Sequence, residues 1–288
     1  MPSQRQLKSR IRSVKNTKQI TKAMQMVAAS KMRRAQEATK LTTPYTQTAR
    51  EILANLAKQG ETKDHPLFEE RTVKNRLLIV VASDKGLAGA YNTNVSKQYI
   101  RELMADDKAG IKTKTIAIGR KVTAFATRLK DAELVGAYDD LPDQLEGHEL
   151  RAALDSAYKL FTEGEVDAVD MVYTDFVSSI SQVAKTERLL PAGSVETPEN
   201  DELHEALFEP DAETVLTSVV YRLVNAQLFQ AFLDARASEH SMRMIAMKNA
   251  TDNASDLIDD LTLAMNKARQ SAITQELAEI SGGAEAMK

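Results

Sequence analysis

The chain has 288 residues, no cysteine and a formal net charge of −3. A composition of 43% hydrophobic and 27% charged residues belongs to a folded chain, not a disordered one, and this length allows one or two domains with a real core. The missing cysteine excludes thiol catalysis, disulfides and thiolate-bound metal, and no apolar run approaches the roughly 20 residues of a membrane span.

Glycine and proline divide the chain. Nine of eleven glycines lie between Gly60 and Gly193, and six of seven prolines between Pro44 and Pro210. A loop-bearing middle is therefore flanked by two arms almost free of breakers. The first arm, residues 1–60, reads as a helix. Ser3 and Gln6 fit a capping box. Ile20, Met24, Val27 and Lys31 recur at helical spacing, several alanines keep the helix slim, and Pro44 is expected to kink or interrupt it. No apolar stretch follows the basic start, so the sequence reads as lacking a secretory signal.

The middle, residues 74–195, alternates strands and helices. Arg76–Ala82 is a continuous apolar run, the pattern of a strand buried on both faces. Ser83–Asn92 is a glycine-containing turn, after which Val95, Tyr99 and Leu103 mark a helix. Thr113–Gly119, Glu133–Ala137 and Asp167–Thr174 read as further strands, Arg120–Leu129 and the stretch around Leu150–Phe161 as helices, and Gln182–Leu190 as an edge strand. This order implies βαβ units and a mostly parallel, Rossmann-like sheet. Gly193–Pro210 is acidic and turn-rich, and reads as a linker.

The second arm, residues 211–288, has no glycine or proline from Asp211 to Ser281. As a helix, that stretch measures about 105 Å at 1.5 Å per residue, several times the diameter of a small domain. Such a helix must protrude or pair. Gly282-Gly283 is the expected stop. Leu216, Val219, Val220 and Leu223 form one apolar stripe, and Leu257, Leu261, Ala264, Met265, Ala268 and Ala272 another. No heptad spans the whole arm, which predicts an irregular antiparallel pairing with the first arm over a simple zipper. Residues 1–40 carry eleven basic side chains against one acid, and residues 211–288 seven against eleven, a contrast that favours this pairing or charged partners.

Chemical motifs are sparse. Gly86 and Gly89 after the first strand give G-x-x-G, not G-x-G-x-x-G, and no phosphate-binding G-x-x-x-x-G-K-[ST] occurs. Arg120, after the second strand, could meet a 2′-phosphate, which keeps a nucleotide-binding βαβ protein as an alternative. The four histidines, His65, His148, His204 and His240, are scattered and suggest no metal site. Asp139-Asp140 and Asp259-Asp260 read as solvated surface, not acid–base pairs. The basic first arm could bind nucleic acid, but with almost no aromatic residues it suits an acidic protein partner as well. A coiled-coil adaptor is the other alternative.

Residues 10–36 (RIRSVKNTKQITKAMQMVAASKMRRAQ) and 273–286 (ITQELAEISGGAEA) resemble the two ends of the gamma-subunit family of the F-type, proton-translocating ATP synthase. Ile273, Thr274, Glu276, Glu279, Gly283 and Ala284 stand where that family's signature has them, and residues 237–253, 266–271 and the SDKGLAGAYN turn agree. The resemblance implies a rotor. The terminal helices form an antiparallel coiled coil inside a ring of alpha and beta subunits, and the middle domain sits at the foot against epsilon and the membrane ring of c subunits. Rotation of that ring drives ATP synthesis in beta. It further implies no catalysis and no cofactor or metal on the chain itself, no nucleic acid, and a peripheral place on the cytoplasmic side of a bacterial cell membrane through the complex only. By the same resemblance Met24, Arg243, Arg269, Gln270, Thr274 and Glu276 are coupling contacts with beta. Tyr45, Gly86, Gly89 and Tyr91 are foot contacts.

Overall fold

The computed structural model describes residues 3–59, 65–129, 132–142, 148–192 and 212–286. In chain order these form helix α1 (Gln4–Gln59), strand β1 (Asn75–Val81), α2 (Tyr91–Ala109), β2 (Lys112–Ile118), α3 (Arg120–Ala126), β3 (Glu133–Tyr138), α4 (Arg151–Thr162), β4 (Ala168–Phe176), β5 (Gln182–Leu190) and α5 (Ala212–Ala286). The acidic stretch Gly193–Pro210, Asp211 and the side chains of Leu216 and Val219 lie outside the described residues. The contacts divide the chain into two compact units. One is Met1–Ala28 with Arg243–Lys288, the other Ala29–Met242.

The larger unit is built on a five-stranded sheet of order β3-β2-β1-β4-β5. All pairings are parallel except β4 with β5. The apolar run in β1 alternates between two cores. Leu77, Ile79 and Val81 point to the face covered by α4 and α5, where Leu154, Phe161, Leu228 and Phe232 pack. Leu78 and Val80 point to the face covered by α2 and α3, with Val95, Tyr99 and Val122. Each fully buried side chain of this size contributes about 1.5–3 kcal/mol, so the central strand is the strongest anchor of the domain. Several polar groups inside are paired, whereas among the described residues Tyr158 Oη, Thr174 Oγ1, Asn225 Oδ1 and Arg236 Nε have no hydrogen-bond partner. The Tyr99 hydroxyl meets Thr115 Oγ1 at 2.7 Å, and the buried Asp170 carboxylate on β4 takes Arg76 from β1 and Arg188 from β5.

Within this unit α1 and α5 run antiparallel. Thr42 Oγ1 donates to Gln230 Oε1 at 2.5 Å and Gln230 Nε2 to Thr43 Oγ1 at 3.4 Å, while Thr39, one turn earlier on α1, lies beside Asp234, one turn later on α5.

In the smaller unit the seam on α1 is formed by Leu7, Ile11, Val14, Lys18, Thr21, Gln25 and Ala28. On α5 it is formed by Arg243, Met247, Thr251, Ala254, Ile258, Leu261, Met265 and Ala268. The spacings alternate between three and four almost throughout, the geometry of a coiled coil. That repeat was invisible as a hydrophobic pattern because Lys18, Thr21, Gln25, Arg243 and Thr251 occupy seam positions. The Thr21 and Thr251 hydroxyls meet there at 2.8 Å.

Three expectations change. Pro44 does not interrupt α1; Pro44 and Lys40 both lie on the exposed side, where water can take the carbonyl freed by the missing N–H. Gly282-Gly283 does not stop α5, which continues to Ala286. Glycine permits a left-handed stop but does not impose one, and inside a helix costs only about 1 kcal/mol. Of the stripe Ile20–Met24–Val27, Ile20 and Val27 face outward, 60% and 56% exposed, while Met24 is half-buried. The capping box is present: Ser3 N donates to Gln6 Oε1 at 3.0 Å and Gln6 N to Ser3 Oγ at 3.3 Å.

Candidate functional site

Two apolar surfaces are left uncovered on the smaller unit. The first is the outward stripe of α1. Beside it Lys15, Lys18, Lys22, Ala23, Met26 and Ile258 line a groove of about 450 Å³, with an apolar floor and a basic rim. Met24 is half-buried on α1 and Arg243 is buried in the seam.

The second surface is the end of α5. Ala268 is the last half-buried position, and residues 269–282 are exposed throughout. At 100° per residue, Arg269 and Glu276 share one face of this bare helix and Gln270 and Thr274 the next. Ile273, Leu277 and Ile280 form an apolar stripe between them, the last two 60% and 70% exposed. Thr274 Oγ1 donates to Gln270 O at 3.0 Å, so its hydroxyl is already oriented along the helix. Arg269, Gln270, Thr274 and Glu276 are thus brought together within two turns, whereas Met24 and Arg243 belong to the paired stretch.

The residues expected at the foot are spread over the larger unit. Tyr45 is exposed and lines a cleft of about 570 Å³ with Thr42, His148, Arg151, Tyr221 and Arg222. Gly86 and Gly89 are exposed in the turn after β1. Tyr91, the first residue of α2, is only 1% exposed and packs in the core between that helix and the sheet, so it can serve a surface only by holding that turn in place.

The same turn tests the nucleotide reading. Asp84 Oδ1 accepts from the backbone N–H of Arg120 at 3.0 Å and of Asp140 at 3.2 Å, and Ser83 N donates to Asn92 Oδ1 at 3.1 Å. Three backbone donors at the strand ends, those of Ser83, Arg120 and Asp140, are thus already held by the protein's own carboxylate and amide. The Arg120 guanidinium pairs with Asp139 and Asp140, which are ion-pair partners and not merely solvated surface. Among the described residues no group of three His, Cys, Asp or Glu side chains is placed to hold a metal, and no helix is long and apolar enough to cross a membrane.

One ionisable group escaped the sequence reading. Asp234 sits on α5 against α1 and the sheet. Burial, and then the nearby Asp175 carboxylate, push its pKa up to about 6, against the pull of Gln230 and Lys185. Nothing in its local sequence separates it from a surface aspartate.

Comparison with known proteins decides what these surfaces belong to. The family model described as ATP synthase matches residues 3–287. The ATP synthase gamma chain of Stenotrophomonas maltophilia strain R551-3 is 40% identical over 288 residues, covering both chains completely. That of Cupriavidus pinatubonensis is 41% identical over 292 residues, again complete. The chain belongs to the ATP synthase gamma-chain family. Among solved structures, a central-stalk and c-ring structure of the Tetrahymena thermophila mitochondrial ATP synthase aligns with a TM-score of 0.59 at 25% identity, covering 80% of this chain and 99% of that one. A chain of the Euglena gracilis mitochondrial ATP synthase aligns with a TM-score of 0.70 at 19% identity, covering 99% and 94%. As a gamma-family chain it is a subunit of the membrane-associated ATP synthase complex, in the role of the rotor's central stalk.

Proposed function

We propose that this gamma-family chain is the non-catalytic axle of an F-type ATP synthase, passing rotation of a proton-driven c ring to catalytic beta subunits. The observation that carries this reading is the bare end of α5. A single helix in water is marginal, and one that exposes Ile273, Leu277 and Ile280 beside Arg269, Gln270, Thr274 and Glu276 needs an enclosure. A ring of alpha and beta subunits supplies one. The polar flanks suit contacts that break and re-form at every step, which a fully apolar face would hold at one angle. The basic groove and outward stripe around Met24 favour an acidic loop of beta as the neighbour, with Arg243 supporting that stretch from the seam.

In this reading residues 1–60 and 211–288 are the shaft and residues 74–195 the foot. Tyr45 and the Gly86–Tyr91 turn face epsilon or the c ring, and the chain lies on the cytoplasmic side of a bacterial membrane, held there by the complex alone. Reconstitution with alpha and beta subunits, with a bead on the sheet domain, tests the proposal. ATP-dependent rotation of the bead is expected. Assembly without rotation, or nucleotide hydrolysis by the purified chain alone, would overturn it.

A further inference from the structure

In open α/β sheets, ligands bind in the crevice beyond the carboxyl ends of the strands, where the strand order reverses. The order β3-β2-β1-β4-β5 puts that reversal between β1 and β4. Here the crevice is closed by α5 itself. Ser238 Oγ donates to Thr174 O on β4 at 3.3 Å. Ser241 Oγ donates to Ser179 O in the β4–β5 turn at 2.7 Å. Two residues before Ser238 on α5 stands Arg236. Its Nη2 lies 3.8 Å from Asp84 Oδ2, in the turn after β1, and donates to Leu141 O, after β3, at 3.1 Å. Its Nη1 pairs with Glu239 Oε2 at 3.2 Å, and the guanidinium lies 5.0 Å from the Phe232 ring centroid.

We propose that Arg236 is a torsional pin, the positioning residue through which the sheet domain grips α5 and turns it. The inference rests on the rotor reading. The apolar contacts of α5 with the sheet, such as Leu228 and Phe232, are non-directional and let packed surfaces slide. Arg236 differs because its planar fork fixes direction. It ties the helix to two loops that are separate in sequence and fastened to each other by the Asp84 carboxylate, which accepts from Arg120 N and Asp140 N. Arg236, Asp84 and Glu239 are 13%, 11% and 4% exposed at the side chain, so water screens the pin little. Turning the domain about the helix would strand buried charges, a steep penalty that apolar packing lacks.

The test uses the reconstituted complex with the alpha–beta ring fixed to glass and a bead on the sheet domain, stalled without nucleotide turnover. The reporter is the thermal spread of bead angles. Two variants are compared with the parent: Arg236→Lys, and Arg236→Leu combined with Asp84→Asn and Glu239→Gln, which removes the pin without leaving an unpaired buried charge. The expected result is a wider angular spread for the triple variant and a smaller widening for Arg236→Lys, which keeps the charge but cannot bridge Asp84 and Leu141 at once. Thermal unfolding midpoints near the parent's separate this from general loosening. Parent-like spread in both variants overturns the pin while leaving the rotor intact. A parent complex that never rotates removes the reading on which the pin depends.

Discussion

Thr21 and Thr251 stand 230 positions apart in the chain, and their hydroxyls meet at 2.8 Å inside a helix seam. Thr251 also donates back to Met247 O at 2.8 Å, and Thr21 has the Lys18 carbonyl at 3.1 Å. Each hydroxyl has a single proton. One of them donates across the seam while the other donates to its own helix. Thr21→Val or Thr251→Val alone removes the bond across the seam, while the remaining hydroxyl keeps the carbonyl of its own helix, and costs about 1 kcal/mol. The double Val variant costs less than the two singles added together. A double-mutant cycle on urea midpoints measures the difference, and strict additivity would remove the bond from the seam's energetics.

Asp234 sets a pH dependence. An unfolded aspartate titrates near 3.9, and the folded one near 6. The folded chain thus holds more protons between these values, and stability falls as pH rises from about 4 through about 6, then levels. The loss is about 3 kcal/mol for a shift of about two units. Asp234→Asn removes this penalty. It is expected to raise the denaturation midpoint at pH 8 with little change at pH 4.5, and Asp175→Asn to reproduce part of the gain. Equal effects of Asp234→Asn at both pH values would contradict the assignment.

Gly119 has φ of +104°, and a Cβ built there would lie 2.1 Å from Ala82 O. The close approach joins the ends of β1 and β2, where Ala82 N also donates to Ile118 O at 2.8 Å. Gly119→Ala must shift backbone, since no flexible side chain can yield. A loss of about 4 kcal/mol or more is expected, read as insoluble product or a collapsed melting transition. A soluble variant with the parent's midpoint would show that the strand ends can part cheaply.

Gln270 is exposed and makes no seam contact that folding needs. Gln270→Leu should leave helicity and thermal midpoint unchanged in the isolated chain. In the complex it removes roughly one hydrogen bond from the proposed coupling surface, and ATPase turnover is expected to fall by roughly fivefold to tenfold. Unchanged turnover in an assembled complex would take Gln270 out of that surface.

Much of the fold was legible because its signals are local. The run of apolar residues in β1 needs no partner to be read as a strand covered on both faces, and the absence of breakers after Asp211 announces a long helix. Helix pairing was legible in outline and not in register. Lys18, Thr21 and Thr251 sit where a zipper would carry leucine, while Ile20 and Val27, the residues that look like core, face out. The axle proposed above would invert the usual inside–outside rule, and one sequence cannot say which apolar stripe meets its own chain. Arg269, Gln270, Thr274 and Glu276 were singled out by family likeness alone and are proposed as contacts, because exposed polar residues on a helix carry no local signal of use. Arg236 and Asp234 were missed for a related reason. Their roles depend on Asp84 and Asp175, groups brought near by the sheet and not by spacing along the helix.

The bare end of α5 has a consequence for the life of the subunit outside its complex. Helix that packs against nothing opens at almost no free-energy cost, and residues 269–282 are exposed on every side. An orphan copy therefore offers proteases an easy entry at the stretch proposed for coupling. In the proposed axle, enclosure closes that entry, and surviving digestion becomes a record of correct assembly. On that proposal, excess subunits are open to removal at the very stretch that makes assembled ones useful.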